Sequence, residues 1–274
     1  MIVRQLPGIL RITYQIDHAD LAGQFTTHWG NATFAHPMPL AALQIASTLH
    51  DNGWRYWDLN PKIDPANGRP IDFMHIDVGD HTDLYRKGIS EVMATAPYAG
   101  LLVNMHGCGL YNGRYGTLDV PGLERYSAQD LLIVKAFIGE HEAQQHALKQ
   151  QLKDADQLQD EAFEQQLWTN YQLLQIWDRL SLYFCLHDLA TAQSFTLGLV
   201  PTDYAGQVTK LQVTPQNGNI VTISPYPFAL SPFTFIMIVR DIPDRKYASN
   251  SDLRDALHAA IPQELCFQTW KTSI

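Results

Sequence analysis

From Ser127 to Ala192 the chain carries no proline and one glycine, Gly139. A stretch of that length without either residue has almost nothing to interrupt an α-helical ladder. It reads as two long helices. The polar run Lys149–Glu164 marks the turn between them, or their solvated ends. Leu167–Leu189 is strongly apolar and reads as a central helix.

Helical periodicity also governs much of the chain before this segment. His18, Leu21, Ala22, Phe25 and Trp29 fall on one face of a first helix, which Gly30-Asn31 stops. A second helix runs from about Leu40 to His50, with Leu43, Ala46, Leu49 and His50 inward, and Asp51-Asn52-Gly53 closes it. Residues 54–83 crowd Trp54, Trp57 and several prolines into an irregular aromatic loop, the kind of long loop that usually walls a site. Leu84–Thr95 reads as a helix, and Ala99–His106 as a buried apolar segment, helix or strand. Gly107–Gly116 is a glycine-rich turn.

Strand signals sit at the two ends. Ile2–Tyr14 alternates around Pro7-Gly8 as a hairpin. Val208–Val213, Ile220–Ser224 and Phe233–Arg240 read as strands, with a hairpin signal at Asn217-Gly218. A helix at Asp252–Ala260 precedes a last strand around Leu265–Trp270. The expected architecture is mainly α. A helical domain over 16–190 carries a small α+β layer built from 1–15 and 191–274.

Bulk properties exclude several function classes. The net charge is −9 with 19 basic residues scattered along the chain, which argues against binding a nucleic-acid polymer. No apolar run approaches the roughly 18 residues of a membrane span, and the first residues lack the apolar core of a signal peptide. Three separated cysteines suit reduced thiols, so the expected compartment is the cytoplasm. No dinucleotide fingerprint, P-loop, GxSxG elbow or HExxH run is present.

Chemistry concentrates instead in His18, the pair His50-Asp51, and Asp178, each on or at the end of an expected helix. A carboxylate such as Asp178, set among Ile176, Trp177 and Leu180, is costly to bury unless it is paired or metal-bound. Imidazoles with carboxylates suit a divalent ion: Fe, Mn, Zn or Mg. The order His, His-Asp, Asp resembles the HD-domain superfamily of metal-dependent phosphohydrolases. Asp17-His18-Ala19, Leu49–Gly53 and Trp177–Ser181 carry the resemblance. It implies an HD-like helical bundle with His18, His50, Asp51 and Asp178 as metal ligands. His75, His81 and His106 lie in the interval where that superfamily places ligands to a second ion, and His106 is the best placed of them. Over nearly its full length the chain also resembles an uncharacterised bacterial family of unknown function. Trp29-Gly30, HDNGWRYWD, LLVNMHG, WDRLSLY and Pro225–Phe228 mark it.

The expectation is therefore a metal-dependent hydrolase of a small phosphoester or nucleotide. Asp51 would bridge metals or orient the attacking water. Arg55 and Arg114 would clamp phosphate, since guanidinium forks match its oxygens. Trp54 and Trp57 would wall the pocket and stack on a base or sugar. His141, His146 and His258 read as solvated. The alternative is a module that binds a small molecule or ion without catalysis, and a third reading is a buried polar network with no ion. An edge of the late strands leaves homo-oligomer formation open.

Overall fold

A computed structural model gives the fold and describes residues 1–117, 123–156 and 160–272. The helices are α1 (Gln15–His28), α2 (Leu40–Leu49), α3 (Arg55–Leu59), α4 (Val78–Thr95), α5 (Pro97–Gly109), α6 (Ala128–Asp156), α7 (Asp160–Leu186) and α8 (Asn250–Ala259). The strands are β1 (Ile2–Leu6), β2 (Ile9–Thr13), β3 (Phe195–Pro201), β4 (Val208–Pro215), β5 (Ile220–Ser224), β6 (Phe233–Pro243) and β7 (Gln263–Lys271). The proline-free segment forms the long helices α6 and α7. The chain between them, 157–159, where a turn was expected, lies outside the described residues.

The strands join into one curled, mixed, seven-stranded sheet in the order β1-β2-β6-β7-β5-β4-β3. Only β5 and β7 run parallel. This overturns the expectation of a mainly α, all-helical HD-like bundle with a small β layer. Most of the strands, and the joining of both chain ends in one layer, were legible; the size of the sheet was not. The N-terminal hairpin docks its β2 on β6, pairing Ile12 with Arg240, and β3 adds a further strand at the far edge. β3 contains Gly198 and ends at Pro201, and its register slips between Leu197 and Val200, where Leu199 has φ 54°. That bulge destroys the alternation by which a strand is read.

α1 and α7 pack on the sheet through aromatic rings. Phe25 of α1 lies 5.0 Å from Phe235 of β6 and 6.1 Å from Phe184 of α7, centroid to centroid. On the β2 side, no strand among the described residues pairs with β6 beyond Ile12, and a helix side chain takes that place. Gln24 donates from Nε2 to the Ile236 carbonyl (2.9 Å) and accepts the Ile236 N–H (3.0 Å). α5 is buried along most of its length and is started by Pro97 at its first turn, which resolves the helix-or-strand ambiguity at Ala99–His106.

Two glycine contacts set the helix spacing around the future site. A Cβ on Gly53 would lie 1.9 Å from the Leu84 carbonyl oxygen, and one on Gly88 would lie 2.6 Å from the Gly53 nitrogen. The turn after α2 therefore rests directly on α4. No helix among the described residues is long and apolar enough to cross a membrane.

Candidate metal centre

Four helices deliver the polar groups. His18 lies in the first turn of α1, and His50-Asp51 immediately follows α2. His106 comes from α5 and Asp178 from α7. All five are at most 4% exposed. Helix and sheet packing, rather than local loop structure, brings together residues up to 160 positions apart in sequence.

The atoms converge closely. His18 Nε2 is 3.1 Å from Asp178 Oδ1 and 3.8 Å from Asp51 Oδ2. His50 Nε2 is 3.3 Å from His18 Nε2, 3.6 Å from Asp51 Oδ2 and 3.6 Å from Asp178 Oδ1. The ligand atoms of His18, His50 and Asp51 all lie within 4.8 Å of one another.

The outer partners fix which nitrogens carry protons. His50 Nδ1 faces the Ser47 carbonyl at 2.7 Å, and a carbonyl only accepts, so Nδ1 donates. Ser181 Oγ gives its proton to the Asp178 carbonyl (2.9 Å) and so accepts from His18 Nδ1 (2.9 Å). Both Nε2 atoms therefore point into the cluster, that of His18 at 3.1 Å from Asp178 Oδ1, where a proton or an ion must stand between nitrogen and carboxylate. His106 is set the other way. Its Nδ1 accepts from Arg114 Nη1 at 3.2 Å, so its Nε2–H faces Asp51 Oδ1 at 3.6 Å. In this tautomer His106 offers a donor where a second ion would need a lone pair.

Electrostatics follow the same geometry. Burial alone would lower the His50 pKa, but the Asp51 charge and the contact with Asp178 outweigh it and lift it to about 9. Burial would raise Asp51, yet His50, with His106 and His18, holds it well below the usual carboxylate range. Arg114 and the two imidazoles do the same for Asp178 against its burial. Burial pulls His106 and His81 down to about 4, so both are neutral near pH 7. Tyr85 donates from its hydroxyl to Asp51 Oδ1 at 2.5 Å, and burial holds its pKa well above 10.

Arg114 reaches the cluster from an unusual backbone. Gly113, Arg114, Tyr115 and Gly116 all have φ between 54° and 78°, a left-handed run that costs energy at the two non-glycine positions. In return Arg114 Nη2 meets Asp178 Oδ2 at 2.8 Å. A cavity of about 450 Å³ opens onto His18, Asp51, His106, Arg114 and Asp178, while His50 sits behind them. Its walls are aromatic and aliphatic, and Arg125 is a further cation among them. Arg125 donates to the Leu110 carbonyl and the Tyr126 hydroxyl, and meets no carboxylate among the described residues.

Other expected residues lie elsewhere. Trp54 lines the cavity but is 1% exposed, so it serves as wall packing more than as an open stacking face. Trp57 is buried outside the cavity, beneath Lys62. Arg55 turns away to Glu91 (2.7 Å) and Asn52 (3.0 Å). His81 lines the cavity, whereas His75 is exposed on its own short turn. His141, expected in solvent, is buried beside Asn104 and Gln144. Tyr85, Ser47, Ser181 and Arg125 went unread in the sequence. Ser181 stands three residues from Asp178 on the same helical face, which is a usable signal, whereas Ser47 acts through its backbone carbonyl, which residue type does not announce.

A family model described as a protein of unknown function (DUF3891) matches residues 1–244. No curated protein and no solved structure matches the chain.

Proposed function

The chain belongs to the DUF3891 family of proteins of unknown function, and from its buried cluster we propose a divalent-metal-dependent hydrolase acting on a small phosphoester. One observation carries the reading. The Nε2 atoms of His18 and His50 converge with a carboxylate oxygen of Asp51, and Asp178 Oδ1 stands 3.1 Å and 3.6 Å from the two, with outer partners that take the Nδ1 protons. His18, His50, Asp51 and Asp178 would hold the ion. Two imidazoles and two carboxylates suit a first-row transition metal or Mg²⁺. A divalent ion there supplies Lewis acidity and charge compensation to a phosphoryl group.

The surrounding residues support that chemistry. Ser47 and Ser181 orient the imidazoles. Tyr85 holds Asp51 from the cavity side. Arg114 brings a permanent positive charge beside the cluster, where it favours charge developing on phosphoryl oxygens. His106 aims a neutral N–H toward the same space. The ordered ligand set is similar to that of HD-type phosphohydrolases, and the likeness lies in the ligand order, not the fold.

The test is elemental analysis of untagged protein, followed by a phosphomonoester and phosphodiester panel with Mn²⁺. Stoichiometric metal, lost in Asp178→Asn, together with turnover, supports the reading. Full metal content in a His50→Ala, Asp51→Ala double variant would overturn it, as would a protein that takes up no ion at all.

A further inference from the structure

A second cavity, of about 710 Å³, opens between α7, β1 and the segment leading into β3. Leu182 lines both cavities, so they share a wall on α7. Two arginines face the second one, Arg4 from β1 and Arg179 from α7. Arg4 donates from Nη1 to the His187 carbonyl, while its Nε is buried with no partner. Arg179 is half-buried and has neither hydrogen bond nor ion pair among the described residues.

Seven of the eleven arginines are paired with a carboxylate. Arg11, Arg86 and Arg240 each meet a carboxylate at 2.9 Å or less. A partly desolvated guanidinium without a counter-charge is destabilising. Burial lowers the pKa of Arg4, the expected mark of that cost. The single carboxylate on the cavity wall, Asp188, is exposed and accepts the Ala190 N–H at 3.0 Å. The rest of the wall is mixed, with Gln5, His187, Thr191, Gln193 and Ser194 beside an apolar side. Tyr183 and Phe195 stack at 4.4 Å, and Leu182 and Leu186 complete that side.

We propose that this second cavity binds a small organic anion, with Arg4 and Arg179 holding its carboxylate or phosphate and the Tyr183–Phe195 wall covering its apolar body. The site is separate from the metal cluster and does not depend on the hydrolase reading. Its occupant would lie against the helix that carries Asp178, one residue from Arg179.

Calorimetric titration of the full chain with phenyl phosphate and with benzoate tests this, and the tighter of the two identifies the head group. Expected is saturable binding that weakens about tenfold or more in Arg179→Gln and in Arg4→Gln, and that persists in Arg125→Gln, which alters the first cavity only. Arg179→Met, without any ligand, should melt above the wild type, because an uncompensated charge has been removed. Absence of binding by either anion overturns the proposal, as does binding lost only in Arg125→Gln. A lowered melting temperature for Arg179→Met overturns it too, since the guanidinium would then be serving the fold.

Discussion

The Nε2 atoms of His18 and His50 stand 3.3 Å apart, and each ring has committed its Nδ1 proton to a serine-derived oxygen. Two lone pairs so placed repel one another unless positive charge joins them. Without metal, that charge is a proton on His50, whose pKa is lifted to about 9. A divalent ion must displace that proton. Metal affinity should therefore rise about tenfold per pH unit below that value. Chelator competition at several pH values reads the slope, and a flat profile would mean that the two imidazoles do not share an ion.

His81 works in the opposite sense. Packed edge-on against Trp54 and Tyr85, it is pushed by burial from 6.5 to about 4. A depressed histidine contributes stability that is complete above 6.5 and lost as pH falls through about 4. The contribution is at most about 3 kcal/mol. His106 shares the window and the sign. Urea denaturation across this range should show a shallower acid slope in His81→Gln than in the wild type, and equal slopes would remove His81 from the account.

Asp178 and Arg114 form a buried pair at 2.8 Å. Removing one partner strands the other charge, at a cost of roughly 3–5 kcal/mol. Asp178→Asn should therefore destabilise the metal-free protein strongly, and Arg114→Gln added to it should restore part of the loss. A double-variant cycle measures the coupling. Strict additivity would mean that the two groups do not interact in solution.

Gly53 and Gly88 let backbone touch backbone. Gly53→Ala would force the turn carrying Asp51 off α4, at a cost of about 2 kcal/mol, and would pull Asp51 away from Tyr85. The variant should lose both stability and metal. Gly23→Ala meets only the Thr48 hydroxyl, at 2.3 Å. That milder clash should be relieved by Thr48→Ala, and comparing melting temperatures separates the two cases.

The cluster residues were legible because a buried histidine or aspartate on an apolar helix face is conspicuous. His18, His50 and Asp51 stand out in that way and meet in space, with Asp178 beside both imidazoles. Arg55 and Arg114 looked equivalent in sequence, yet only the left-handed turn at residues 113–116 sends an arginine inward. Nothing local announces such a run when two of its members are not glycine. Tyr85 reads as an ordinary helix aromatic until α4 is placed against Gly53. The extent of the sheet was hidden for a related reason: β2 and β6 pair across some 230 residues, as in Arg11 with Asp241, and local periodicity carries no information on such partners.

Gln24 stands in for a missing strand, offering β6 the donor and acceptor that a neighbouring peptide group would have supplied. The same helix holds His18 less than two turns away. The depth at which this imidazole enters the cluster is thus gauged against the rim of the sheet, and the β architecture becomes the datum from which the position of a helical histidine is measured.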